Sequence, residues 1–486
     1  MTAAITPALA LAVPGLGALL VGLTGRWPKL RETVTLVTAL ATFAVVASLA
    51  PGVLQGERPA VDLVEEVPGI RLALVVEPLG MIYALIASFL WIFNSIYSFG
   101  YLRANREHKQ TRYYTCFAVA IASALGIAFS ANLFTLFLFY EALTFSTFPL
   151  VAHKETPEAI RAGRIYLGIL VFTSTCLMLL AIIWTYAVTG TVDFREGGIL
   201  EGKVTPAVAA VLLVLFVLGT GKAAVMPLHF WLPAAMVAPT PVSALLHAVA
   251  VVKAGVFIVL KIAVFTVGVD FISRERLGDA LCWLAGGTVI VASLVALTKD
   301  NLKARLAYST VSQLSYIVLA AVMGSRLGIV GGSLHIAMHA FGKITLFFCA
   351  GAIYTAHHLT EVSDMRGIGR VMPVTTACFL VGALSVIGLP PLGGAWSKWF
   401  LGLAALEADR IALLGVFLVS SLLNVAYLLP IAIRGFIDEP THAVLRGGVQ
   451  EAPLACVLPI VVTAAGCLVL FVYPELVFQF SNQILR

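Results

Sequence analysis

Nine ionisable side chains stand where the surrounding chain is almost wholly apolar: Glu141, Lys222, His247, Lys253, Lys261, His335, His339, Lys343 and Lys398. The most ordered group lies in SLHIAMHAFGKITLF, where His335, His339 and Lys343 recur at i, i+4 and i+8. On an α-helix these positions fall at about 0°, 40° and 80° of rotation, on one face. Three titratable groups on one apolar face suit proton transfer. Histidine exchanges its proton near neutral pH. A lysine taken out of water holds its proton less tightly and a nearby carboxylate restores the hold, so a moving charge can load and unload it. A second stripe, Ser309, Ser312, Gln313 and Tyr316, recurs at i, i+3, i+4 and i+7 and could bridge such groups. His247 precedes Lys253 in SALLHAVAVVKAG, and Glu141 follows Tyr140 in LFLFYEALTFSTFPL.

Other chemistries fit these residues less well. A zinc site needs three or four ligands, and no cysteine or carboxylate at motif spacing completes the His335/His339 pair, so no metal is expected. Neither a nucleophile elbow nor an oxyanion loop accompanies the serines and histidines. There is no GxxxxGK[ST] run and no flavin or haem signature. The chain is therefore expected to need no cofactor and to hold no catalytic or redox site of its own. Energy must come from an ion gradient or from a partner. The seven cysteines form no CxxC pair and read as small core residues.

The elements that position these groups are membrane helices. Only 12% of the 486 residues are charged, against about 25% in soluble domains. Fourteen apolar segments, from 3–24 to 453–480, each approach the roughly 20 residues that span a bilayer. The fold class is thus all-α and polytopic. The net charge of +6 does not point to nucleic acid, because the basic residues are scattered through short loops. With the loops alternating, seventeen Lys and Arg fall inside and nine outside. The excess places both termini outside a cell membrane. No basic residue precedes the first segment, while Arg26, Lys29 and Arg31 follow it. That reads as a retained first helix rather than a signal peptide.

The other five basic residues are lysines within the segments: 222, 253, 261, 343 and 398. A charge at bilayer depth costs about 2.5–3.5 kcal/mol even on lenient scales, which packing alone does not explain. Lys261 lies near the outer end of its segment, where its ammonium is expected to reach the headgroups. Glu141 is the one acid deep in a segment.

Two segments are interrupted. The seventh carries Gly219, Gly221 and Pro227 around Lys222; the twelfth carries Gly388, Pro390, Pro391, Gly393 and Gly394 just before Lys398. Proline removes a backbone donor and crowds the preceding turn. Broken backbone at membrane depth requires protein or a wet cavity around it. The two breaks lie five helices apart on segments of opposite direction, which suggests an inverted repeat. Helices 1–3 occupy 1–110, a first repeat (helices 4–8) 111–270, its inverted partner (helices 9–13) 271–435, and helix 14 436–486.

These motifs resemble the antiporter-like family shared by Mrp-type cation/proton antiporters, the membrane arm of respiratory complex I and membrane-bound hydrogenases. The resemblance rests on FYEAL, GKAAVMPLHFWLPAAMVAPTPVSALLH, Lys253, HAFGK, and GLPPLGG followed by Lys398, and it covers most of the chain. It implies fourteen helices with helices 4–8 and 9–13 as inverted bundles. It implies that Glu141 and Lys222 form a charge pair, that Lys253 is the central relay lysine, and that His335, His339 and Lys343 bridge two half-channels. Lys398 would be the terminal exchange site. Length and the lysine at that last position look most similar to the D-type subunit of Mrp antiporters. The chain would then be a proton-translocating subunit of a multi-subunit complex, exchanging protons for Na+ or K+. A pump subunit of an NADH:quinone oxidoreductase or membrane-bound hydrogenase is the alternative. A stand-alone transporter of an organic solute and a structural anchor are remoter ones, and the buried charges count against the anchor.

Overall fold

The computed structural model describes residues 2–67, 70–439 and 448–485. Arg446 and Arg486, two of the charges counted above, lie outside the described residues. The main helices begin with α1 (Thr2–Leu23) and α2 (Pro28–Leu54). A hairpin of β1 (Ala60–Val67) and β2 (Ile70–Val75) follows. Then come α3 (Pro78–Ala104), α4 (Gln110–Ala128), α5 (Leu133–Val151), α6 (Pro157–Thr189), α7 (Pro206–Gly219) and α8 (Thr240–Val267). The remainder are α9 (Asp279–Thr298), α10 (Leu302–Val322), α11 (Arg326–His357), α12 (Pro373–Ile387), α13 (Gly394–Glu407), α14 (Ile411–Ile437), α15 (Leu454–Val472) and α16 (Glu475–Gln483).

Helix occupies every apolar segment marked in the sequence. Among the described residues, eleven helices are long and apolar enough to cross a membrane. The other segments are α10, which carries the polar stripe, and the two interrupted ones, α7 and α12/α13. Local chemistry sets the helix starts. Proline stands in the first turn of α2, α3, α6, α7 and α12, where its missing N–H is no loss. Asn132, Thr156, Thr205, Asn301 and Ser325 cap α5, α6, α7, α10 and α11 by accepting from a first-turn N–H.

The structure departs from two expectations. The fourteenth segment does not run to residue 480: α15 stops at Val472, and α16 begins beyond Pro474 as a separate short helix. The cysteines are not all core, since Cys176 is exposed. The hairpin before α3 pairs Ala60 with Val75 and reaches Ser130 through a bridge at Leu74.

The centre of the bundle is α8. All its side chains from Thr240 to Val267 are buried, and α11 beside it is buried almost throughout. α3 pins both: Tyr83 Oη donates to Ala250 O and Tyr97 Oη to Phe348 O, each at 2.8 Å. The charged motifs therefore sit on the two most enclosed helices, and the interrupted segments bring their lysines against them.

Candidate functional site

At the first break α7 ends at Gly219, and a 3-10 turn, Gly221–Ala223, carries Lys222. Lys222 Nζ donates to Tyr140 O at 2.9 Å and Thr144 Oγ1 at 2.5 Å, and it lies 3.1 Å from the centre of the Tyr140 ring. Pro227 follows in the non-helical stretch, and Trp231 Nε1 closes it by donating to Gly221 O. α8 packs hard against this turn. A Cβ on Gly255 would meet the Lys222 carbonyl carbon at 2.3 Å, so only glycine admits the approach. Glu141 lies on α5 one residue from Tyr140, half-buried, with Oε1 enclosed and unpartnered. Among the described residues it makes no ion pair with Lys222 within 4 Å, and Lys222 Nζ is held by Tyr140 O and Thr144 Oγ1 instead.

The central lysine and the histidines come together. Lys253 Nζ lies 2.5 Å from His339 Nδ1. The His339 and His335 rings stack with centres 5.5 Å apart, and His335 stacks on Tyr316 at 5.7 Å. His335 Nδ1 shares a hydrogen bond with Ser397 Oγ at 2.9 Å. At the second break α12 ends on Gly388, whose φ of +91° is open to glycine and strained for other residues. Lys398, one turn into α13, folds back over that glycine and donates to Ile387 O at 2.8 Å and Ser421 Oγ at 3.1 Å. Its Nζ stands 5.1 Å from the Tyr316 ring centre. Pro390 and Pro391 lie in the gap between α12 and α13. A continuous line thus runs Lys253, His339, His335, Tyr316 and Ser397, Lys398.

The remaining residues form branches. Lys343 points away from the histidines and donates to Ser309 Oγ at 2.7 Å and Leu306 O at 3.2 Å. Ser309 also receives the Tyr427 hydroxyl at 3.0 Å. Ser312 meets Ser293, and Gln313 is buried beside it. His247 sits in a π-turn, Leu245–Val249, against the Phe347 ring, and neither ring nitrogen has a protein partner. His335 Nε2 and His339 Nε2 are likewise buried without partners. Leaving a buried polar group unpaired costs about 1–3 kcal/mol, so these atoms mark positions for bridging water. Above the start of α8, a cavity of about 290 Å³ is lined by Tyr101, Lys154, Thr240, Lys303 and Tyr354.

Several members of the site were not read from the sequence. Ser397 is a single hydroxyl and carries no signal alone, while Thr144 in TFST and Ser421 after Ser420 are not set apart from their hydroxyl neighbours. Ser420, Asn424 and Tyr427 recur at i, i+4 and i+7 on α14, and that stripe was legible. Lys261 does not reach the headgroups. It is fully buried and lies 2.5 Å from Oε1 of Glu77, an enclosed acid just before α3.

Fold and site together define a polytopic membrane protein of the antiporter-like class. The chain belongs to the NADH:quinone oxidoreductase/Mrp antiporter transmembrane family, which residues 130–424 match. It is 31% identical over 454 residues to NADH-quinone oxidoreductase subunit N of Desulforudis audaxviator, covering 90% of each chain. It is 28% identical over 391 residues to the D-type subunit of the Na(+)/H(+) antiporter of Alkalihalophilus pseudofirmus, covering 79% of this chain and 78% of that one. Its fold matches a chain of the Mrp complex from a Dietzia species with a TM-score of 0.88 at 22% identity, over 100% and 97% of the two chains. A chain of a membrane-bound sulfane sulfur reductase, an archaeal respiratory membrane complex, matches with the same TM-score at 24% identity, over 99% and 98%.

Proposed function

We propose that this chain is a proton-translocating subunit of a multi-subunit membrane complex, a monovalent cation/proton antiporter of the Mrp type, set in the cell membrane with both termini outside. The observation that carries the reading is the buried line from Lys253 through His339, His335 and Tyr316 to Lys398. Protons reach α8 through the cavity at Thr240, pass His247 by water, and load Lys253. They cross α11 on His339 and His335 and leave past Lys398. Two charges 6–8 Å apart repel by about 2–3 kcal/mol at an effective dielectric constant near 20, so a proton arriving on one group drives its neighbour's proton onward. Lys343, with Ser309 and Tyr427, holds a charge beside the line. Glu141 and Lys222 bias Lys253 from the near end by closing or opening as a pair. The antiport reading rests on likeness to the Na(+)/H(+) antiporter relative.

A second reading, a pump subunit of an NADH:quinone oxidoreductase, is supported by the likeness to the NADH-quinone oxidoreductase relative over 90% of both chains. Both readings use the same line and differ in what drives it. The test is proton flux into proteoliposomes holding the assembled complex, with an imposed Na+ gradient in one series and a quinone-reducing substrate in the other. Lys398→Ala should abolish flux in whichever series the wild type is active. Unchanged flux would overturn the path.

A further inference from the structure

We propose that Glu77 and Lys261 form a second proton-exchange site, giving Lys253 its own access to the outer face along α8. This rests on the proton-translocating reading above. An antiporter must load protons from one face and release them at the other, and the line through α11 reaches the outside only at its far end, near Lys398. α8 offers a shorter way.

Lys253 and Lys261 are eight residues apart on one helix, about 12 Å along its axis and about 80° around it. The α-helical stretch that holds them, Val251–Ile262, is bracketed by two π-turns, Leu245–Val249 and Ala263–Val267. Such bulges let the segment between them shift register as a unit. A lysine so close to the outer end of its helix would ordinarily extend to the headgroups. Lys261 turns inward instead. Its Nζ contacts Glu77 Oε1 at 2.5 Å and donates to Ser130 O at 2.7 Å, with the Phe194 ring 4.7 Å away. The hydroxyl of Thr266, five residues on, is buried without a partner. Glu77 in turn borders a cavity of about 160 Å³ on the hairpin side of the molecule, which Arg58, Glu196 and Gln483 also line. A buried ion pair stabilises little compared with apolar packing of the same shape, so stability is a poor reason to keep this one. A proton site is a better reason, because one partner stands on α8 and the other borders a cavity lined by charged and polar side chains.

For release, an N–H bond of the Lys261 ammonium breaks as an O–H bond forms on Glu77, and Glu77 hands that proton to water in the cavity. Neutral Lys261 then takes the proton of Lys253 over a water chain past Phe257. Uptake from outside reverses each step.

The test uses the assembled complex in proteoliposomes. Lys261→Arg keeps the ion pair but cannot give up its proton. Proton flux at least tenfold below wild type, with normal assembly, is the expected result; flux within twofold of wild type overturns the proposal. Should the arginine prevent assembly, Glu77→Gln/Lys261→Met decides, since it removes both buried charges together. A tenfold loss again supports the site, and flux within twofold shows a structural pair. Lys253→Met is measured in parallel. Flux persisting in that variant would defeat the proton-translocating reading itself, whatever the outer pair does.

Discussion

At the scale of residues, the balance between desolvation and attraction governs Glu141 and Lys222. Lys222 rests on Tyr140 O and Thr144 rather than on the carboxylate. A buried pair has little net stability, yet breaking one partner costs about 3–5 kcal/mol. Open and closed arrangements are then close in energy, which is what a switch requires. Glu141→Gln keeps the shape and removes the charge, so proton flux should fall at least tenfold in an assembled complex. Lys222→Arg should restore only part of the function, as a fixed charge that does not titrate. The double variant Glu141→Gln/Lys222→Met tests the switch against a structural pair. Restored flux there would mean that the charges only hold α5 and the Lys222 turn together. Glycine acts at the same scale. Alanine at 388 would take a left-handed conformation that costs about 1–2 kcal/mol, and its Cβ would stand 2.6 Å from Lys398 Cδ. Gly388→Ala should therefore displace Lys398 and slow transport several-fold while the complex still assembles. Flux equal to wild type would show that the fold-back of Lys398 is unimportant.

At the scale of elements, much was legible because membrane helices write their chemistry plainly. The apolar segments, the Gly/Pro interruptions around Lys222 and before Lys398, and the one-faced His335, His339, Lys343 stripe all follow from composition and a 3.6-residue period. The stripe misled in one respect. His335 turns to Ser397 and His339 to Lys253, whereas Lys343 turns to Ser309. The 80° of drift over two turns is enough to aim the third residue at a different neighbour. The π-turn at His247 was not legible, because an extra backbone residue in one turn leaves no trace in hydropathy. Lys261 was misread for a related reason: its partner Glu77 lies far away in sequence, just before α3. One junction outside the bilayer carries a pH signature. Glu155, after α5, is held down to about 2 by Lys109 and Arg112 across the junction, so that latch persists through the physiological range. His153 beside it is pushed down to about 4 by burial, then by Arg112 and His108. Its neutral form favours the closed junction fully above about 6.5, and this contribution is lost as pH falls from there through about 4. Amide exchange in 105–112 and 152–158 should quicken over that window, and His153→Phe should flatten the response. Equal pH dependence in the variant would assign the effect to another group.

At the scale of the whole molecule, Glu141 and the Lys398 end of the line approach the lateral surface. Glu141 is half-buried on a face where Leu138, Phe145 and Phe172 are exposed, and Lys398 lies near exposed Trp399, Leu418 and Leu422. A carboxylate facing lipid is expensive, so the Glu141 face suits contact with another membrane protein chain. The purified subunit alone should therefore show little cation/proton exchange in liposomes, and robust exchange would contradict a dependence on partners. The loop charges predict that position 106 faces inward, so a cysteine placed there should resist membrane-impermeant reagents added outside intact cells; labelling would reverse the orientation. Proton passage on the α11 histidines is the step on which the whole path depends. It is tested most directly by proton flux through the assembled complex carrying His339→Ala, which removes the group that meets Lys253 Nζ. The path predicts that flux disappears while expression and assembly stay near those of the wild type. Undiminished flux through a correctly assembled His339→Ala complex would contradict it.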